Sequence, residues 1–471
     1  MEAKEAACYP HLKARLNTSV SPHPVPPNLR RRRIRWRVWL AVYLLVWALL
    51  GAAGAAGYRF ARAALESTTR VDALGFRGAE DDLDAITRCC RFDLLGWEVR
   101  RLARWGVLRL VQTPGTATDD AEAVRRFFTL NRTVSHGQLA LSRAEAEAER
   151  QQARAAVRQA EEERRQLRPR VERSIHDAVA QQLLAQGLVF DLPVLSDRVF
   201  PPLAFAIVQP PSILVISPRS EIKLERTTVL RPDLADETGF GMEREAEALG
   251  WSAVVEPAGG YSTYPTMVTQ DAGLEFVLQA VAHEWSHTYL FFHPLGNHYF
   301  SSPQLRTINE TVANIVGREV ARAALPALAP PGAGAAAPTP PAPPPPTGAG
   351  RPQEFDFRAE MRLTRREAER LLKQGTVEEA ERYMEQRRRL FVAQGYNIRR
   401  LNQAYFAFHG SYADSPGSID PIGPQLESLF QRAGSLREFV RAVEGVASYQ
   451  DFVRLLAARG VAVEDGASRR R

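Results

Sequence analysis

Residues 38–58 carry no charged side chain, and few features restrict a fold as strongly as such a run. At 1.5 Å per residue a helix of that length reaches about 31 Å, close to the ~30 Å hydrocarbon core of a bilayer. Arg30, Arg31, Arg32, Arg33, Arg35 and Arg37 precede it. Trp36, Trp39 and Tyr58 stand near its ends, where amphipathic rings favour an interface. The sequence therefore predicts one N-terminal transmembrane helix. The positive-inside rule makes residues 1–37 a cytoplasmic basic tail and puts the body outside, a single-pass placement in the cell membrane. A cleaved signal peptide is the competing reading, but the run is long for an apolar h-region of about 7–15 residues.

The distribution of charge removes a function class. The formal charge is +7 over 471 residues. Residues 1–37 hold nine Lys or Arg against Glu2 and Glu5, so they account for all of it, and residues 38–471 are balanced. No basic excess remains for a nucleic-acid surface on the body, and no nucleic-acid partner is expected. Cys8, Cys89 and Cys90 are too few for a disulfide framework or a Cys-rich metal module.

Hydrophobic period and composition divide the rest. Residues 59–138 read as short helices. Residues 139–186 are rich in Ala, Glu, Arg and Gln, with Leu139, Ala146, Ala153, Ala160 and Leu167 seven apart. That pattern predicts a long helix with a weak, Ala-lined coiled-coil seam: a solvated spacer, a helix packed on the body, or a stalk pairing two chains as a homodimer. In the core region, 187–324, runs at 203–208, 213–216 and 227–230 read as strands. Residues 262–268 read as an edge strand, where Pro265 is tolerated, and 271–324 as helical. Residues 325–352 form a Pro/Ala/Gly-rich linker. Residues 353–460 are helical again, forming one unit with the helices of 271–324, and 461–471 are a tail. The expected fold class is α+β and mostly helical. Its parts are the transmembrane helix, the long helix or coiled coil, a core with a small sheet, and a helical C-terminal part.

One segment carries chemistry. His283-Glu284-Trp285-Ser286-His287 lies in a stretch with no Pro before Pro294. On a helix, residues i and i+4 share a face, so His283 and His287 present two imidazoles to one cation. Glu284 is turned about 100° away and reaches a water beside that cation without binding the cation itself. Glu310 follows His287 by 23 residues, in an apolar-periodic helix marked by Ile308, Val312, Ile315, Val316 and Val320. It offers a third ligand, which leaves the fourth position of a catalytic zinc site for water.

The pentad and the segment Asn309-Glu310-Thr311-Val312-Ala313-Asn314 together resemble the gluzincin class of zinc metallopeptidases, the thermolysin-like and aminopeptidase-like enzymes. The resemblance covers roughly residues 260–320. It implies a zincin-like domain, Zn²⁺ held by His283, His287 and Glu310, Glu284 as general base, and a peptide or protein substrate. The class often carries Asp four residues after the ligand glutamate, where it orients a zinc histidine. Asn314 stands there in this chain; its carbonyl can accept from an imidazole N–H, without the charge that raises ligand basicity. Segments 402–405 and 409–412 are loosely similar to the distal part of aminopeptidase-like members.

Peptide hydrolysis also needs an oxyanion partner besides the metal. The candidates are His298, Tyr299, Tyr405, His409 and Tyr412. A substrate peptide is expected to add as a strand along 262–268. The function expected is a membrane-anchored zinc hydrolase, a metallopeptidase acting on the extracytoplasmic side. The alternative is a non-catalytic envelope interaction protein with a structural or vestigial zinc site.

Overall fold

The Ala- and Glu-rich stretch folds as one arm of a helical hairpin. The computed structural model describes residues 77–94, 96–98, 101, 117–188, 199–328, 355–410, 416 and 418–463, all within the unit Phe76–Arg471. After a short helix α1 (Arg77–Thr87), α2 (Ala117–Arg143) and α3 (Glu147–Ala185) are joined by three residues. So short a connection makes them antiparallel neighbours. Leu130 and Val134 of α2 bury against Val157 and Ala160 of α3. Gly137 permits the close approach, since a Cβ there would lie 2.4 Å from Val157 Cγ2. The single helix expected over 139–186 is thus two helices. No Gly or Pro marks the break at Ala144-Glu145-Ala146; packing between the arms decides it.

Further along α3, Val171, Ile175, Val179 and Leu183 enter the main core. A polar row on the same helix ties down the chain around it. Arg164 donates to Asn131 (3.3 Å) and Asp271 (3.2 Å), and Arg168 to Gln270 (3.0 Å). Glu172 accepts the Ile207 N–H at 2.8 Å.

Two small sheets follow. One has the order β3-β2-β4 and is antiparallel, from β2 (Ser212–Pro218), β3 (Arg226–Leu230) and β4 (Trp251–Pro257). The other has the order β1-β6-β5, from β1 (Phe205–Val208), β5 (Gly260–Tyr261) and β6 (Thr266–Thr269). In it β1 runs parallel to β6, Phe205 opposite Thr266, and β5 runs antiparallel, Gly260 opposite Val268. Strand β6 is therefore central, and the expected edge over 262–268 is corrected. Glu172 covers the outer edge at β1, so β5 is the edge left beside the following helix. Helix α4 (Asp236–Ala248) covers one face of the first sheet through Met242 and Ala246.

Helices α5 (Leu274–Leu290) and α7 (Pro303–Leu328), with the short α6 (Pro294–Asn297) between them, form the centre of the molecule. The periodic residues Ile308, Val312, Ile315, Val316 and Val320 are all buried. Each such side chain taken from water stabilises the fold by roughly 1.5–3 kcal/mol before entropy is counted. Gly317 lets the pair approach, because a Cβ there would lie 2.7 Å from the Gln279 carbonyl oxygen.

The C-terminal helices lie in the same compact unit as α5 and α7, Phe76–Arg471, and pack in two groups within it. Helices α8 (Phe357–Lys373) and α9 (Val377–Ala393) make their own hairpin around Met361, Met384 and Phe391. Gly375, at φ +79°, ends α8 in the left-handed region where a glycine is favoured. Helix α10 (Gln403–His409) packs Ala404 on β2 and β4. By contrast α11 (Ile422–Arg432), α12 (Leu436–Val443) and α13 (Tyr449–Ala458) join the core that contains α7.

The expected transmembrane helix, and the single-pass cell-membrane placement that followed from it, are corrected. Among the described residues no helix is long and apolar enough to cross a membrane. The longest, α3, is dominated by Glu, Arg and Gln; α5 is apolar but has 17 residues; α7 carries Arg306, Arg318, Glu319 and Arg322. The run 38–58 lies outside the described residues. What stands is a mostly helical body with small sheets.

Candidate metal centre

Helix α5 is buried on most of its surface, which fixes the direction of its polar face. Val277, Leu278, Val281, Ala282, Trp285 and Leu290 are all buried. The Trp285 indole donates to the Pro201 carbonyl at 2.8 Å, which sets the helix's rotation. The side left facing α7 carries His283 and His287, and α7 answers with Glu310.

These three side chains converge. His283 Nε2 and His287 Nε2 are 3.1 Å apart, and Glu310 Oε2 is 3.5 Å from each. All the ligating atoms lie within 4.8 Å of one another. At 3.5 Å the carboxylate is at ion-pair distance, too far for a good hydrogen bond. Glu310 Oε2 is accordingly a buried oxygen that accepts no hydrogen bond. Two imidazoles and one carboxylate form a donor set suited to zinc, and an unsatisfied buried oxygen aimed at both histidines is what a cation would complete. The residues therefore fit a divalent metal.

The charges respond to one another. Burial works against ionisation of Glu310, but His287 and His283 outweigh it and hold the carboxyl well below the usual range. Burial likewise disfavours a charged His287, yet the Glu310 carboxylate pushes its pKa up to about 9. A metal competes with that proton for the same nitrogen. Glu284 is 8% exposed, and burial pushes its carboxyl up. It faces strand β5: a Cβ on Gly260 would lie 2.5 Å from Glu284 Oε1, so a side chain there would push the carboxylate aside. Burial and the nearby carboxylates of Glu284 and Glu98 push the Tyr261 hydroxyl up to about 12.

Two residues hold members of this cluster. His287 Nδ1 pairs with Asn309 Oδ1 at 2.7 Å, which leaves Nε2 for the centre. The Tyr299 hydroxyl donates to Glu310 Oε1. Asn309 was legible as part of the motif but not as a histidine partner, since that contact joins two helices. Asn314, expected to orient a ligand histidine, lies half-buried one turn beyond Glu310 on α7.

The oxyanion candidates separate. Tyr299 reaches the centre. His298, its neighbour, bonds the Pro294 carbonyl at 2.9 Å. The Tyr405 and His409 rings lie tilted to one another 4.2 Å apart on α10, with His409 Nε2 3.9 Å from Glu256 on β4. Burial, and next to it Glu256, pushes the Tyr405 hydroxyl upward. Tyr412 lies outside the described residues. His293 stacks on Tyr289 at 4.7 Å and faces Glu444, away from the triad.

No family model, curated protein or solved structure matches this chain. What is established is a His283, His287 and Glu310 cluster at metal-binding distance.

Proposed function

We propose that this protein is a zinc-dependent hydrolase, a metallopeptidase of gluzincin type. The observation that carries the reading is the convergence of His283, His287 and Glu310, from two helices, around one unsatisfied carboxylate oxygen. The His-Glu-x-x-His pentad with its downstream glutamate supports it, as does Glu284 at the position of a general base.

A bound zinc supplies Lewis acidity, polarising a carbonyl and acidifying a water molecule. Glu284, beside the triad but not in it, takes the proton from the attacking water and delivers it to the leaving amine. The edge of β5 next to Glu284 offers backbone groups for an extended peptide to pair with, which makes a peptide the fitting substrate. Glycine at 259 and 260 keeps that edge low beside the carboxylate.

The test is zinc content by elemental analysis together with hydrolysis of a peptide library by the full chain. About one zinc per chain and a cleaved peptide are expected, with Glu284→Gln keeping the zinc and losing the cleavage. A zinc-free wild type, or full activity in Glu284→Gln, would sink the reading. Tightly held zinc with no hydrolysis would mark a structural site instead.

A further inference from the structure

We infer that Tyr299 is a positioning residue of the metal centre: it occupies one oxygen of Glu310 so that the carboxylate presents a single oxygen to the cation. The inference rests on the reading that the triad holds a metal.

A carboxylate can bind a metal through one oxygen or both, and the choice decides how many positions remain for water and substrate. Here the two oxygens of Glu310 are treated differently. Oε1 accepts the Tyr299 hydroxyl, while Oε2 accepts nothing and lies 3.5 Å from both imidazole nitrogens. A phenol can donate only one hydrogen bond, and this one is directed at Oε1. The hydroxyl cannot swing away easily, because the ring is held on two sides. His287 meets it edge-on at 6.1 Å, and the Arg306 guanidinium lies over it at 5.6 Å. Arg306 sits one turn before Glu310 on α7, so the ligand helix itself carries the clamp. The Tyr299 N–H donates to the Gly296 carbonyl at 3.2 Å, which anchors the backbone at the end of α6. Asn309 plays the parallel part for His287.

With one carboxylate oxygen and two imidazoles, three protein atoms bind and a position stays open. With both oxygens, the protein would supply four atoms and crowd that position. Tyr299 thus acts through Glu310 on coordination number, a different role from donating to an oxyanion on the substrate.

The experiment compares full-length wild type with Tyr299→Phe, each loaded with Zn²⁺ for affinity and with Co²⁺ for spectroscopy. Chelator competition is expected to show metal binding weakened about 10–100-fold in the variant. The visible Co²⁺ bands are expected to lose intensity, as they do when a site moves from four towards five or six ligands. Unchanged affinity with an unchanged Co²⁺ spectrum would overturn the inference, even if turnover fell, since that pattern belongs to an oxyanion donor. A wild type that binds neither metal would overturn the underlying reading, and this one with it. If circular dichroism shows that Tyr299→Phe does not fold, Arg306→Met keeps the hydroxyl and removes the clamp. It is expected to weaken binding about 2–5-fold, and no weakening there would count against the role.

Discussion

Two helix pairs in this molecule handle charge in opposite ways. Between α5 and α7 the half-buried His283 and His287 meet the buried Glu310, close to Val281, Ile308 and Val312, and the buried Glu284 lies beside them facing β5. In α8 and α9 the apolar side chains Met361, Met384 and Phe391 fill the interface, while pairs such as Arg370–Glu367 and Arg388–Glu385 lie at the surface. The second arrangement is the economical one for stability, since burying ions costs several kcal/mol each after relaxation. Buried charges are retained where a structural partner covers them, as Asp271 does for Arg164, or where they perform chemistry or hold a cation, and the Glu310 oxygen facing both histidines has no hydrogen-bond partner. The difference between the pairs is therefore the strongest physical argument that α5 and α7 form a site and α8 and α9 a scaffold.

That contrast can be broken by substitution. The largest effect is expected from Glu284→Gln, which should lower peptide hydrolysis by about 10²–10⁴-fold with zinc content unchanged; steady-state rates and elemental analysis read both. In the scaffold pair, Phe391→Ala should cost about 3–5 kcal/mol of stability, seen in urea denaturation, because Phe391 is fully buried. The folded fraction should still bind zinc. If it did not, the two pairs would be one cooperative site. Chelating the metal should destabilise the wild type by about 2.7 kcal/mol relative to a sample with free zinc at 100 times its Kd. His283→Ala should show no such dependence on chelator in a thermal melt.

The smallest effect sharpens the scaffold side. Hydrogen bonds from Arg388, then from Arg389, hold the Glu385 carboxyl down at about 2. Because the folded value lies below the unfolded one, the contribution to stability is present above the ordinary carboxylate range. It is lost as pH falls towards 2. Glu385 is 42% exposed, so solvent screening limits the effect to less than about 1 kcal/mol. Glu385→Gln should melt slightly below wild type at pH 6, and that gap should close as the pH approaches 2.

Much of this was legible in the chain itself. The periodicity of α7 is a local signal and appears where the residues suggested; the Gly375 turn between α8 and α9 is local as well, set by one residue in the left-handed region. The hairpin break between α2 and α3 and strand β4 were not legible. The first has no turn residue at 144–146, and the second depends on pairing with β2 to exist at all. Strand β6 reads as an edge because of Pro265, yet that proline precedes the strand and leaves Thr266–Thr269 free to pair on both sides. Among the side chains, Tyr299 and His298 are neighbours with similar prior claims. Only the turn at the end of α6 points one at Glu310 and the other at its own backbone.

By itself the sequence determined that His283 and His287 share a face and that Glu310 stands on a second buried helix, because helical geometry relates residues within a few turns. Tertiary structure alone decided that His283, His287 and Glu310 converge, and that Asn309 holds His287 and Tyr299 holds Glu310. It also set β5, not β6, as the edge beside Glu284. Those relations join elements separated by loops and by tens of residues, and packing sets them: the Gly317 contact between α5 and α7, the Gly260 contact at Glu284, and the anchoring of Trp285.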